Sequence, residues 1–316
     1  EMCIRDRAYG CQNWFQNSQF AKSIINGCSG KTALQKIAQD PMERLHLRFL
    51  KWTLKVHKKC SNLACYGDTG RYPLATKLAK QVIKYYNRLE NLNEAGSNSL
   101  VLHAFAEQKH SNLSWHKNMS TLLEAAGHSN QQHELPNPVQ IQKKLQEHFD
   151  RLWNDQRKKS TKLAYYNQVK KDVSISFEPF LALNDSNARK CVMQLRSSSH
   201  RLNCETARYK SAKDLDRKYC SNSWLKRCEF CTSEDAVLLS QLPFNEVIEE
   251  TEHHILITCP KYHQQRLNLH EGTKSLLLRN EYHEDLYTWE HIGNFGPYIK
   301  KLFNLRFPKK KKTKEE

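Results

Sequence analysis

Glycine and proline are scarce in this sequence, which has 10 glycines and 9 prolines among 316 residues. Because these two residues most often interrupt regular backbone, their scarcity argues against a loop-rich fold. The chain also has no run of about eighteen apolar residues, so the sequence predicts no membrane-spanning helix and no membrane partner. Its apolar residues recur mostly three or four positions apart, which is the period of an amphipathic helix. The sequence therefore predicts a mainly α fold.

Several catalytic motifs are missing as well. The sequence has no Walker glycine loop, no nucleophile elbow, no His-Glu-x-x-His pair and no adjacent pair of aspartates. These motifs respectively hold phosphates, expose a serine nucleophile, bind a catalytic zinc ion and bind catalytic metal ions. The sequence therefore predicts that these 316 residues carry no catalytic site of their own.

Acidic residues are outnumbered: 50 lysines and arginines face 33 aspartates and glutamates, which gives a formal charge of +17. Such a surplus attracts polyanions, of which nucleic-acid phosphate backbones are the most common. Residues 306–316 contain a lysine run, PKKKKTK, and are predicted to form a disordered basic tail. Such a run is typical of a nuclear-localisation signal or a nucleic-acid patch, and a merely solubilising end is the alternative.

Eleven cysteines in a chain of this size form an odd set, which favours metal ligands and reduced thiols over a disulfide framework. Cys228 and Cys231 form a Cys-x-x-Cys pair, and His254 and Cys259 follow with four residues between them. Three thiolates and one imidazole are a closed ligand set for one structural Zn²⁺ ion. A chance grouping is the alternative, as are His253 in place of His254 and, more weakly, Cys220 in place of a ligand.

A basic stripe is predicted on an early helix. Between Glu43 and Lys59 the leucines recur at helical spacing, and Arg48, Lys51 and Lys55 project on one side together with neighbouring basic residues. This stripe is a candidate phosphate contact, with an ordinary solvated face as the alternative. Further helices are predicted over Thr76–Leu92, as a pair within Ser97–Gly127, and after Pro138.

Seven segments follow one another in this chain order: Tyr9–Trp14 (YGCQNW), Phe49–Trp52 (FLKW), Gly67–Leu74 (GDTGRYPL), Leu195–Leu202 (LRSSSHRL), Glu205–Tyr209 (ETARY), the Cys-x-x-Cys pair and Glu252–Tyr262 (EHHILITCPKY). In this order they resemble the C-terminal region of LINE-type, or non-LTR, retrotransposon reverse transcriptases. The resemblance covers nearly all of the chain from Ala8 to about Tyr262. Asp68, where the family often has glutamate, and the long loop before His254 depart from its pattern.

The resemblance implies a role in target-primed reverse transcription, in which RNA is copied onto a nicked chromosomal end. It implies a thumb-like helical region over residues 8–135, a helical basic linker over 136–215, and a zinc-bound hairpin-plus-helix knuckle with C-terminal helices over 216–305. The polymerase palm and its aspartates would lie upstream in the parent enzyme, an RNA-directed DNA polymerase, and would be a partner of this region. RNA and DNA are the expected ligands. The expected location is the nucleus, with a cytoplasmic ribonucleoprotein as a second one.

Within this scheme, Arg48, Lys51 and Lys55 would contact phosphates from the thumb, and Arg196, His200, Arg201 and Arg208 from the linker. Glu1–Arg7 (EMCIRDR) resembles a translated sequencing adapter, so these residues are not expected to belong to the natural protein. The natural protein is expected to extend further upstream. Two other functions stay open: a zinc-stabilised module that docks onto a polymerase or host factor, and a decayed remnant without activity.

Overall fold

A computed structural model describes residues 30–96, 99–111, 114–125, 127–128, 135–172, 174–209, 225–231, 248–279 and 284–308. Within these ranges the chain is mainly helical, which confirms the predicted fold class. None of the helices described is both long and apolar enough to cross a membrane. The predicted adapter remnant, Tyr9–Trp14, Cys220 and the lysine tail from Lys309 onward lie outside the described residues.

The described residues group into two compact units, each interrupted by the gaps given above. The first comprises residues 30–50, 65–159 and 174–176, and the second comprises residues 51–64, 160–172 and 177–308. This division differs from the predicted regions 8–135, 136–215 and 216–305. The helix after Pro138 packs against the helix that begins at Leu74, and it therefore belongs with the first unit.

The helices of the first unit, two of which continue into the second, are α1 (Gly30–Gln39), α2 (Pro41–Thr53), α3 (Asn62–Thr69), α4 (Leu74–Glu94), α5 (Leu100–His110), α6 (Ser114–Ala125) and α7 (Pro138–Lys159). The predicted helices over Thr76–Leu92, within Ser97–Gly127 and after Pro138 are confirmed. The α4–α7 contact buries Val82 and Ile83 of the first helix, while Phe149 and Trp153 of the second are equally inaccessible.

A buried carboxylate ties the start of this unit together. Glu43 on α2 accepts hydrogen bonds from the Tyr66 hydroxyl (2.6 Å) and the Leu74 backbone amide (2.7 Å), and it lies 2.8 Å from His46 Nδ1. Burial, and then the neighbouring Glu43, raise the pKa of Tyr66 well above its ordinary value, so the phenol stays a donor. Glu43 thereby links α2, α3 and the start of α4.

Helix α2 is shorter than predicted, because it ends at Thr53 and not near Lys59. Lys55 adopts a left-handed backbone conformation (φ 53°), and the Val56 amide donates to the Lys51 carbonyl, which turns the chain away from the helix axis. Lys55 therefore does not continue the predicted basic stripe.

The second unit contains the helices α8 (Ala164–Val169), α9 (Ser186–Arg196), α10 (Asn203–Thr206), α11 (His263–Leu267), α12 (Glu271–Leu278) and α13 (Ile292–Arg306). Short 3₁₀ turns lie at Thr161–Leu163, Pro179–Ala182, Ala207–Tyr209, Pro260–Tyr262 and Asp285–Tyr287, and a π turn lies at His254–Thr258. Helices α9 and α13 pack along each other. Gly296 on α13 allows Leu183 to approach closely, since a Cβ there would lie 2.6 Å from a Leu183 methyl.

The start of α9 gives a prediction about pH. The Asp185 carboxylate accepts from the Asn187 and Ala188 amides as an N-cap, and Lys300 lies 2.5 Å away. The Lys300 hydrogen bond, followed by those amides, lowers the pKa of Asp185 below its ordinary value of 3.8. The ionised Asp185 carboxylate therefore stabilises the folded state at pH values above 3.8. This stabilisation is lost as the pH falls through the lower pKa of the folded state.

Asp185→Asn should keep the helix cap but lose this acid dependence, because asparagine caps helices about as well as aspartate. Thermal unfolding midpoints measured from neutral to acidic pH should fall less steeply for this variant than for the wild type. Asp155→Asn, an exposed change on α7, is the control and should follow the wild-type curve. Parallel curves for Asp185→Asn and the wild type would contradict the assignment.

Candidate metal centre

Four predicted ligands converge at one point in the second unit. The side-chain donor atoms of Cys228, Cys231, His254 and Cys259 all lie within 4.8 Å of one another, and all four residues are buried. Cys259 Sγ lies 4.0 Å from Cys228 Sγ and 3.7 Å from Cys231 Sγ, and Cys231 Sγ lies 3.4 Å from His254 Nε2. The cluster could hold a metal ion.

These separations match tetrahedral coordination. Two sulfurs bound to one zinc ion at about 2.3 Å each stand about 3.8 Å apart at the tetrahedral angle, and a sulfur and an imidazole nitrogen stand about 3.6 Å apart. The observed distances of 3.7, 4.0 and 3.4 Å fit these values. The donor set, three soft sulfurs and one nitrogen, also suits zinc.

Two short backbone elements present the ligands. Arg227 and Glu249 form an isolated antiparallel bridge, in which the Cys228 amide donates to the Ile248 carbonyl at 2.7 Å. Residues 232–247 of the predicted hairpin lie outside the described residues. The other two ligands flank the π turn, where the Cys259 amide donates to the His254 carbonyl at 2.8 Å. This wide turn brings ligands five positions apart to one side.

The choice between the two adjacent histidines is resolved by position. His254 is buried in the cluster, whereas His253 is exposed and lies outside it. Thr258 Oγ1 donates to the His254 carbonyl (3.4 Å) and lies 2.9 Å from His254 Nδ1, so it accepts the Nδ1 hydrogen. This hydrogen bond leaves the Nε2 lone pair facing Cys231, which is the arrangement that a metal-binding histidine needs.

The close packing of the thiols separates their acidities. Hydrogen bonds from Cys231 and Cys259 lower the pKa of Cys228, while the same contact with Cys228 raises the pKa of Cys231. A metal ion would deprotonate all three thiols, because the thiolate is the form that coordinates zinc.

A buried guanidinium and a buried hydroxyl group hydrogen-bond to backbone carbonyls of the segment that carries His254 and Cys259. Arg266 on α11 is buried and donates to the Cys259 carbonyl at 2.6 Å, and the Tyr298 hydroxyl on α13 donates to the Leu256 carbonyl at 2.9 Å. Three thiolates and one divalent ion carry one net negative charge, which the Arg266 guanidinium would offset. Sequence reasoning missed Arg266, and no spacing rule identifies it.

The Leu195–Leu202 segment contacts the residues that precede His254. Ser198, in the left-handed region at φ 46°, donates from its hydroxyl to Glu252 at 2.8 Å, and His200 Nε2 lies 2.9 Å from the same carboxylate. Burial alone would raise the pKa of Glu252, but the His200 and Ser198 hydrogen bonds lower it overall. The Asn203 amide donates to Glu250 at 2.8 Å. We call Leu195–Leu202 the serine-rich clamp, because its hydrogen bonds hold the segment that carries His254 and Cys259.

The seven predicted nucleic-acid contacts have different surroundings. Arg48, Lys55, Arg201 and Arg208 are exposed, although Lys55 donates to Ser186 and Arg208 pairs with Glu205. Lys51 is half-buried and donates to the Lys58 carbonyl at 2.9 Å. The His200 ring is buried against Glu252.

Arg196 is fully buried, in contrast to a surface phosphate contact. Its guanidinium lies 3.0 Å from Glu178 and 4.7 Å from the centre of the Tyr287 ring. These partners satisfy its charge inside the protein, and the arginine is therefore a structural element of the second unit.

The known proteins add no further information about this site. Comparison of the chain with protein-family models, curated proteins and solved structures found no match.

Proposed function

We propose that this chain is the nucleic-acid-binding C-terminal part of a LINE-type retrotransposon reverse transcriptase, with one structural zinc ion. In this role it grips template RNA and target DNA during target-primed reverse transcription. The polymerase palm belongs to an upstream part of the same polyprotein, so the part described here binds and performs no chemistry. The site of action is the nucleus, to which the basic tail directs the protein.

One observation carries this proposal: two of the segments on which the resemblance rests fold onto each other. Ser198 and His200 of the first segment share the Glu252 carboxylate of the second, 52 to 54 positions away. A chance likeness in two separate segments would not require such contacts. Their pairing supports a single module with the metal cluster at its centre.

Zinc would be held by Cys228, Cys231, His254 and Cys259, and it would cross-link two short segments that lie far apart in the sequence. The four donors fill a tetrahedral shell and leave no position for a reactive water molecule. The surrounding residues then act structurally: Thr258 orients His254, and Glu252 holds the serine-rich clamp.

Binding should depend steeply on salt, because phosphate contacts release counterions. If six phosphates of a single strand are contacted, log affinity should fall with log salt at a slope of about 4. Affinity for RNA, measured by fluorescence anisotropy, should therefore drop more than about 100-fold between 50 and 200 mM salt on that same counterion-release scale. A drop smaller than about threefold over the range would contradict phosphate contact, as the same slope rule predicts.

A gel shift with RNA and DNA, together with a measurement of bound zinc, separates the other functions left open by the sequence. A zinc-stabilised protein-docking module would bind neither RNA nor DNA in a gel shift, yet it would still contain zinc. A decayed remnant would bind neither and would lack a full complement of zinc. Binding of both nucleic acids together with bound zinc is the result expected here.

A further inference from the structure

An open, basic cleft lies within the second unit. Its volume is about 880 Å³, and it is bordered by the turn after α2, by α9 with the following serine-rich segment, and by the end of α13. Five of the bordering residues are cationic: Lys59, Lys162, Lys190, Arg201 and Lys300. Apart from Arg201, these were not among the predicted nucleic-acid contacts.

Among the described residues that border the cleft, the one acid is already neutralised. Glu205 is buried, with Lys162 at 3.6 Å and Arg208 at 3.2 Å. Lys300 pairs with Asp185 at the cleft edge, whereas Lys190 on α9 is only partly buried beside Cys191. The cleft therefore keeps a surplus of positive charge in a concave surface, where field lines converge and attract anions.

The cleft also offers an aromatic surface. Phe307 is half-buried at the end of α13 and meets Phe303 edge-on at a ring distance of 5.9 Å. Both rings border the cleft, as do the amide side chains of Asn187 and Gln194. The Arg306 guanidinium lies 5.3 Å from the Phe307 ring centre, and cationic side chains beside a partly exposed ring are the usual features of sites that hold unpaired nucleotides.

The size of the cleft discriminates between nucleic-acid forms. A sphere of 880 Å³ is about 12 Å across. The major groove of B-DNA alone is about that wide, so a whole duplex is too wide to enter the cleft. A single strand, with its backbone along the lysines and a base on the ring, has the dimensions and the chemistry to enter.

We propose that this cleft binds a short single-stranded segment of RNA or DNA through its phosphates, with one base stacked on Phe307. The inference rests on the proposed function and deepens it, because it says which form of nucleic acid is held and where. The serine-rich clamp forms one wall, so Glu252 fixes the position of that wall relative to the candidate metal centre.

The test uses the full chain and short fluorescent oligouridine, oligothymidine and duplex DNA probes. The double variant Lys59→Gln and Lys190→Gln removes two cleft cations. Each lost phosphate contact should cost about fivefold at 0.1 M salt for a single strand, so this variant should bind about 25-fold more weakly and with a salt slope smaller by about 1.4. The matched control, Arg279→Gln with Lys301→Gln, removes two exposed cations outside the cleft and should change affinity less than about threefold, since it costs no phosphate contact.

A third variant, Phe307→Leu, keeps apolar bulk but removes the ring. It should weaken single-strand binding about tenfold and leave the salt slope unchanged, because stacking releases no phosphate counterion. Circular dichroism should show all variants folded, and each should contain as much zinc as the wild type.

Three results would overturn the cleft proposal: wild-type affinity in the double lysine variant, an equal loss in the control variant, or equal affinity of the wild type for duplex and single strands. In each case salt-dependent binding by the wild type would leave the proposed function standing. If the wild-type chain bound none of the probes, the proposed function itself would fail.

Discussion

Replacing Cys259 with serine is expected to remove the bound zinc ion and to unfold the knuckle, the residues of the second unit around the four ligands. Cys259 is fully buried, and its sulfur stands within 4.0 Å of both other ligand sulfurs. A structural zinc ion in a small domain contributes about 10–16 kcal/mol at neutral pH, which is comparable to the whole stability of a typical domain.

Metal analysis of the purified chain measures this directly, and hydrogen exchange over residues 248–262 measures the unfolding. The wild type should hold about one zinc ion per chain, as expected for a closed Cys₃His site, and Cys259→Ser close to none. His253→Ala is the matched control, because this neighbour of a ligand is exposed and lies outside the cluster.

A second pair of variants separates metal binding from packing. His254→Ala should lose zinc, whereas His254→Cys should keep it, since four cysteines are also a common structural zinc set. Retention of zinc by His254→Ala, or loss in His253→Ala, would assign the ligand set differently. Unchanged exchange protection in Cys259→Ser would show that the knuckle folds without its metal.

The clustering of the four candidate ligands could be predicted because it depends on short spacings. Cys228 and Cys231 share one turn, and His254 and Cys259 share another, so sequence distance fixes most of the geometry within each pair. The carboxylate that joins this segment to the serine-rich clamp, Glu252, could not be assigned a role in the same way. Its partner His200 lies 52 positions away, and only the tertiary fold brings the two together.

The helices could be predicted from apolar periodicity. The residues at which they end, and the burial of their basic side chains, could be predicted less well. The period continues past Thr53, but the left-handed Lys55 ends the regular backbone there, and the sequence gives no glycine to signal it. Charge was the weakest guide to location. Arg196 and Arg201 lie five positions apart in one motif, yet the first is fully buried and the second is exposed. A basic residue reveals its charge in the sequence, but its burial depends on partners such as Glu178.

Glu178→Gln is expected to destabilise the second unit by about 3–5 kcal/mol, because it leaves buried cations without their counter-charge. Glu178 lies 3.0 Å from the Arg196 guanidinium and also pairs with the Lys170 ammonium. The side chains of both cations are almost completely inaccessible to water, at 0% and 1% exposure. Both side chains are buried, so the amide removes a counter-charge at a place where water cannot replace it.

Thermal unfolding of the variant should therefore begin about 10 °C lower, by the usual relation between free energy and melting temperature for a unit of this size. Glu284→Gln is the matched control. Glu284 pairs with Lys171, the neighbour of Lys170. That pair is exposed and should contribute less than about 1 kcal/mol to the free energy of unfolding. Arg196→Met, which removes a cation and keeps apolar bulk, should partly restore stability when combined with Glu178→Gln, since only Lys170 then lacks its partner.

The same variants determine the role of Arg196 in binding. If Arg196 acts within the protein, as its contacts with Glu178 and Tyr287 indicate, then Arg196→Met should lower stability while leaving the salt slope of RNA binding unchanged below the melting temperature. A phosphate contact would produce the opposite pattern: the slope would fall by about 0.7, with little change in unfolding. Measuring both properties on one variant therefore separates a buried structural arginine from a surface one that binds RNA.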